Sequence, residues 1–141
     1  MAESLKKLKE LFDLKDADLR TYSPLTLAYI GDGVYELVIR TILVKKENCP
    51  VNRLHKKASS LVKASAQSGM MEILEPLLTE EEKSVYRRGR NAHSATMAKH
   101  ATMADYRRAT GFEALMGYLY LKEDFSRILE LVHAGLEKEE I

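Results

Sequence analysis

One cysteine in 141 residues rules out an intrachain disulfide. Cys49 also has no neighbouring thiol with which to hold a metal. No stretch approaches the roughly 20 apolar residues of a membrane span. The N-terminus, MAESLKKLKELFDLK, is charged throughout and lacks the apolar run of a secretion signal. The expectation is a soluble cytoplasmic protein. Neither a Gly-rich phosphate loop nor a nucleophile elbow occurs. Glu130-Leu131-Val132-His133 is a single ExxH step; a di-iron bundle needs two, so an amphipathic helix accounts for it better. An excess of one charge is missing as well: the net charge is +1 at pH 7, and the overall field announces no polyanionic partner.

What is present is charge sorted along the chain. From 40 to 63 the basic residues Arg40, Lys45, Lys46, Arg53, Lys56, Lys57 and Lys63 face one acid, Glu47. From 86 to 108 Arg87, Arg88, Arg90, Lys99, Arg107 and Arg108 face Asp105. Acids gather in 72–82 and 122–140. Such segregation suits a protein with one face toward a polyanion, although solvated helices also carry charge blocks.

The length predicts a single domain over 1–141, which buries roughly two-thirds of its unfolded surface. The apolar spacing is helical nearly throughout, with no strand pattern, and predicts an all-α fold of six or seven helices. Leu5, Leu8, Leu11 and Phe12 mark a first amphipathic helix. Ser23-Pro24 starts a long one over 24–45, and Pro50 or Asn52 opens a third, which Gly69 is expected to break or bend. Thr79 and Glu82 read as a capping box for a helix that ends near Gly89. Residues 90–103 lack an apolar period and read as a loop. A second long helix follows over 104–121, and Asp124 caps the last, which ends near Gly135. The two most apolar helices, 24–45 and 104–121, are expected to cross in the core.

Both of these helices break local rules. Gly31 and Gly33 each cost about 1 kcal/mol relative to Ala inside a helix. Between them stands Asp32, in a run apolar enough to be buried. Glu113 likewise sits among Phe112, Ala114, Leu115 and Met116, with Gly111 and Gly117 on either side. A helix that keeps such residues implies a second backbone packed close against it and a task for the acid, since burying a bare carboxylate is costly. Acids in two crossing helices can hold a hard divalent cation such as Mg²⁺. Glu36, one turn after Asp32, could converge with it. The competing account is that the acids are partly exposed or pair with Arg40 or Arg107.

The run Leu27-Ala28-Tyr29-Ile30-Gly31-Asp32-Gly33-Val34 resembles the ribonuclease III signature helix, LEFLGDAVL. Phe112-Glu113-Ala114-Leu115-Met116-Gly117-Tyr118-Leu119-Tyr120-Leu121 resembles that family's second motif, DxxEALIGAxYLD. Leu54 to Val62 is similar to the helix between them, and Tyr86-Arg87-Arg88-Gly89-Arg90-Asn91 to its Gly-containing helix end. The matches keep the family's order over 22–122. Few residues follow Leu121, so the resemblance is to the catalytic domain alone, without the double-stranded-RNA-binding domain, as in the Mini-ribonuclease III group. Ala28 stands where the first motif has Glu, and Thr110 where the second has Asp.

The resemblance implies an endoribonuclease that cleaves double-stranded RNA to 5′-phosphate and 3′-hydroxyl ends and acts in 23S ribosomal RNA maturation. It implies Mg²⁺, with Mn²⁺ as a substitute, on Asp32 and Glu113 as catalytic and metal residues, and leaves open whether Glu36 substitutes as a further metal ligand. It also implies a homodimer; Tyr29, Gly33 and Leu37 are the candidate contact, with ordinary intrachain core as the alternative for them, and a ribosomal protein that presents the substrate is a further candidate partner. Lys56, Lys57, Arg87, Arg88, Arg90, Lys99, Arg107 and Arg108 are the candidate RNA contacts, and the 90–103 loop, which carries His93 and His100, is the candidate clasp. The alternative is a non-catalytic RNA-binding or ribosome-associated module of the same fold, which would bind RNA without cutting it. A helical interaction protein with no nucleic-acid role is the weaker third reading.

Overall fold

The computed structural model describes residues 2–92, 102–139 and 141, and among these there is no strand. Seven α-helices follow in order: α1 (Ala2–Leu11), α2 (Pro24–Lys46), α3 (Val51–Val62), α4 (Ala64–Leu74), α5 (Glu80–Arg90), α6 (Met103–Leu121) and α7 (Phe125–Gly135). Most begin as the sequence predicts. Ser23 accepts from the Thr26 N–H, with Pro24 in the first turn, and the Thr79–Glu82 capping box closes in both directions. Asp124 accepts from the Arg127 N–H to start α7. Each such cap satisfies donors that a helix end leaves open. No described helix is long and apolar enough to cross a membrane. His93, Lys99 and His100 lie outside the described residues.

The break between α3 and α4 is not at Gly69, which lies inside α4 with open space where a side chain would go. Lys63 breaks the helix instead, in extended backbone at φ −65°, ψ 156°. Neither Gly nor Pro is needed, because side chains take over the carbonyls that the break frees. The Tyr35 hydroxyl donates to Leu61 O at 2.9 Å. Gln67 Nε2 donates to Val62 O at 2.8 Å.

At the centre runs α6, with α2, α4, α5 and α7 packed around it. From Ala109 to Leu119 every residue but Glu113 is buried. Phe112 meets the edge of Tyr35 at 4.9 Å between ring centroids. Burying side chains of this size contributes about 1.5–3 kcal/mol each. Arg127 of α7 grips Glu82 of α5 through two hydrogen bonds of 2.9 Å and reaches Leu77 O at 3.0 Å.

As expected, α2 and α6 cross in the core, and they do so backbone to backbone. A Cβ on Gly31 would land on the carbonyl oxygen of Glu113, and one on Gly117 on that of Leu27. Only hydrogen fits at either position. For Gly33 the expectation of a close backbone fails: nothing lies within 4 Å of where its Cβ would be.

Gly117→Ala is expected to cost more than about 3 kcal/mol, because the obstacle is backbone and cannot yield as a flexible side chain would. Gly69→Ala, in open space, is expected to add about 0.5–1 kcal/mol through helix propensity. Urea unfolding of the two variants beside wild type measures both; equal effects would dismiss the packing account.

Candidate active site

The glycine crossing decides where the two odd acids go. Gly31 seats α2 on the carbonyl of Glu113, so the next residue, Asp32, leaves α2 beside that same turn of α6. The two carboxyls lie close enough to act on each other. Asp32 is exposed, not buried as its apolar neighbours suggested, because it sits on the rim of the crossing. Glu113 is half-buried beneath it. Burial first, and then the neighbouring Asp32 carboxyl, push the Glu113 carboxyl up to about 8. A carboxyl that prefers to stay neutral at such a pH sits in a site short of positive charge.

A residue that sequence reasoning passed over completes the surroundings. Gln67 of α4 is buried, with 2% of its surface exposed. Its carboxamide lies against Glu113 and opposes the upward shift of that carboxyl. Gln67 Oε1 is buried with no hydrogen-bond partner. Spacing was the available signal: Gln67, Met70, Met71 and Leu74 form one helical stripe, and a polar residue on a core stripe calls for an explanation.

The other predicted acid is placed differently. Glu36 accepts from Arg40 at 2.7 Å, one turn along α2. Among the described residues no three His, Cys, Asp or Glu side chains gather as a metal cage. Ala28 is buried, and the Thr110 hydroxyl donates to Tyr106 O at 3.0 Å within its own helix. Neither position offers the site an acid.

Of the predicted basic residues, Arg87, Arg88, Arg107, Arg108 and Lys56 are exposed. Arg90 stacks over Tyr86 at 5.6 Å from the ring centroid. Arg108 Nη1 reaches Ser68 Oγ at 3.4 Å, and Ser68 is the neighbour of Gln67. Both guanidinium groups act on the Tyr86 hydroxyl, which places them together near the α4–α6 edge of the site. Arg88 lines a separate hollow with Arg20 and Tyr118, and Lys57 is held by Glu47 at 2.7 Å. On the outer side of α2, Tyr29 is 83% exposed and Leu37 58%. Gly33 lies between them, and an apolar hollow beside it is lined by Ile30, Val34, Leu37, Tyr120 and Phe125. Tyr29, Gly33 and Leu37 themselves are not packed as interior core of the chain.

The comparisons with known proteins agree with one another. Residues 25–124 match the ribonuclease III domain family. The chain is 50% identical to the Mini-ribonuclease 3 of Clostridium tetani over 82% of this chain and 77% of that protein. It is 45% identical to the Mini-ribonuclease 3 of Enterococcus faecalis, covering 86% of this chain and 93% of the relative. A crystal structure of a Fusobacterium nucleatum protein superposes with a TM-score of 0.80 at 30% identity, over 88% of this chain and 95% of that one.

The Glu113 shift has a measurable sign. A carboxyl at its ordinary value of 4.5 in the unfolded chain and at about 8 in the fold keeps a proton on folding that the unfolded chain has lost. Stability therefore falls as pH rises between those values and levels off above them. In chelator, unfolding free energy followed across this window is expected to decline for wild type, and the Glu113→Gln variant is expected to lack that component of the slope. An identical slope in both would remove Glu113 as its source.

Proposed function

The chain belongs to the ribonuclease III family, and within it to the Mini-ribonuclease 3 group; from that premise we propose that this endoribonuclease cuts double-stranded RNA using a divalent cation, Mg²⁺ or in its place Mn²⁺, held by Asp32 and Glu113. The observation that carries the reading is the close approach of α2 and α6 at Gly31, which sets these two carboxyls beside each other. The residues present suit a hard dication: the donors are oxygens, they are anionic or can become so, and their mutual repulsion favours a positive charge between them. Glu36, already paired with Arg40, is a reserve ligand in this reading.

When bound, the cation would supply a water of lowered pKa and offset the charge on the scissile phosphate and the departing 3′ oxygen. The chain's own part is positioning. Asp32, on the rim, is open to solvent and to a duplex, while Glu113 is anchored in the buried central helix of the fold. Attack of water on phosphorus with loss of the 3′ oxygen leaves a 5′-phosphate and, once that oxygen takes up a proton, a 3′-hydroxyl. Arg90 and Arg108, beside the Gln67–Ser68 edge, suit phosphates flanking the cut. Arg87, Arg107, Lys56, Lys57, Arg88 and Lys99 serve as sequence-independent backbone contacts in the same reading.

The bare outer face of α2 supports a homodimer. A twofold contact through Tyr29, Gly33 and Leu37 would supply one site for each strand of a duplex. The cellular role, 23S ribosomal RNA precursor maturation in the cytoplasm with a ribosomal protein presenting the substrate, is carried over from the Mini-ribonuclease group.

Cleavage of a long duplex RNA in Mg²⁺ tests the site. Asp32→Asn and Glu113→Gln are each expected to lower the rate by about a thousandfold or more, corresponding to several kcal/mol of lost charge stabilisation, while duplex binding persists. A wild type that binds duplex yet cuts under no metal would leave the assignment without support. Leu37→Glu is expected to convert a dimer to a monomer in light scattering; a wild type that is already monomeric would sink the α2 interface.

A further inference from the structure

Helix α1 carries an apolar face that its own chain leaves uncovered. Leu5, Leu8, Leu11 and Phe12 follow helical spacing, a stripe that a helix forms in order to bury it. Asp13, in the left-handed region at φ 53°, then turns the chain, and the Leu14 N–H donates to Lys9 O at 2.9 Å, which brings Leu14 back to the helix end. None of the described residues of α1 is buried. Leu8 is 43% exposed and Leu11 69%, and just beyond them Phe12 is 68% and Leu14 51% exposed. A helix of 10 residues is marginal in water without a surface to pack on. Lys9 pins it to the body, its Nζ 3.1 Å from both Asp16 and Glu123. Beside that clamp an apolar hollow stays open, lined by Leu8, Leu14, Leu19, Tyr22, Ile30 and Tyr120.

The uncovered face continues into another. Ile30 and Tyr120 also wall the hollow beside Gly33, so the apolar side of α1 runs on into the bare outer side of α2. That side is small for an interface by itself. Tyr29, Gly33 and Leu37 form a single helix stripe, whereas a stable dimer buries about 800 Å² on each partner. Charge favours a protein surface as the cover. From 2 to 16 four lysines meet four acids, a balance that gives no net pull toward nucleic acid or an anionic membrane.

We propose that α1 is a dimerisation arm, its Leu8, Leu11, Phe12 and Leu14 packing on a second copy of this chain and widening the contact at Tyr29, Gly33 and Leu37. This rests on the homodimer reading of the outer face of α2. Because that contact is twofold, each copy gives one arm and receives one. The arm has its full packing only in the dimer.

The test is sedimentation equilibrium of the full chain carrying Leu11→Ser and Phe12→Ser together. Lys6→Ser, which helical spacing puts on the other side of α1, and Leu37→Glu are run beside it. The double variant is expected to raise the dimer dissociation constant by about a hundredfold or more, since four large apolar side chains per dimer lose their cover. Lys6→Ser is expected to leave it unchanged. Melting of the dilute monomer is expected to match wild type in the double variant, because both side chains are already exposed there. Hydrogen exchange over 2–14 gives a second readout, expected to be slow where the dimer prevails and fast in dilute monomer. A dissociation constant that the double substitution leaves unchanged, or exchange over 2–14 that ignores concentration, would mean that α1 serves its own chain only and would overturn the proposal. Leu37→Glu separates the two levels: if it yields monomer while the double variant dimerises like wild type, the α2 interface stands and the arm fails. A wild type that is monomeric at every concentration removes both.

Discussion

Everything at the site depends on α2 and α6 touching without side chains between them. Gly31 rests on the carbonyl of Glu113, and Gly117 on that of Leu27, so each helix supplies the glycine that admits the other. Two glycines inside helices together cost about 2 kcal/mol of propensity. The fold offsets this with the apolar area buried along α6. In exchange, two acids on different helices are held together by main chain, which moves less than any rotamer.

The remaining helices support that crossing. From α4 comes the wall beneath it: Gln67 lies against Glu113, and the kink at Lys63 lets α4 turn toward α6. Tyr35 takes part twice, packing its ring on Phe112 and giving its hydroxyl to the end of α3. On the far side the Arg127–Glu82 pair joins α7 to α5. Removing one member would strand the other charge with most of its surface covered, which is costlier than never having the pair.

Where the sequence was legible, the signal was local and had a mechanism. Ser23-Pro24, Thr79 with Glu82, and Asp124 announce helix starts because caps are nearest-neighbour chemistry. Gly31 and Asp32 stood out because each is costly in an apolar helix. What could not be read was set by distant partners. Lys63 carries no breaker; the helix stops there because Tyr35 and Gln67 receive the freed carbonyls. Gly33 looked like Gly31 in sequence and differs only in which way it faces. The burial of Asp32 was misjudged for the same reason, since periodicity does not say where one helix crosses another. The family resemblance pointed to Asp32 and Glu113 but was silent on Gln67, whose place beside them emerges only once α4 is folded onto α6.

The backbone crossing also divides the protein for anyone who would alter it. Because main chain and not side-chain packing brings the carboxyls together, the acids can be exchanged for isosteres, lengthened or shortened while the scaffold keeps its register. The glycines beneath them tolerate no such variation. A library aimed at metal preference or duplex selectivity would therefore draw its diversity from the rim at Asp32, from Gln67 and from the arginines near Tyr86, and would hold positions 31 and 117 constant. In this fold the positions open to redesign and those closed to it are neighbours in the chain, separated by a single peptide bond between Gly31 and Asp32.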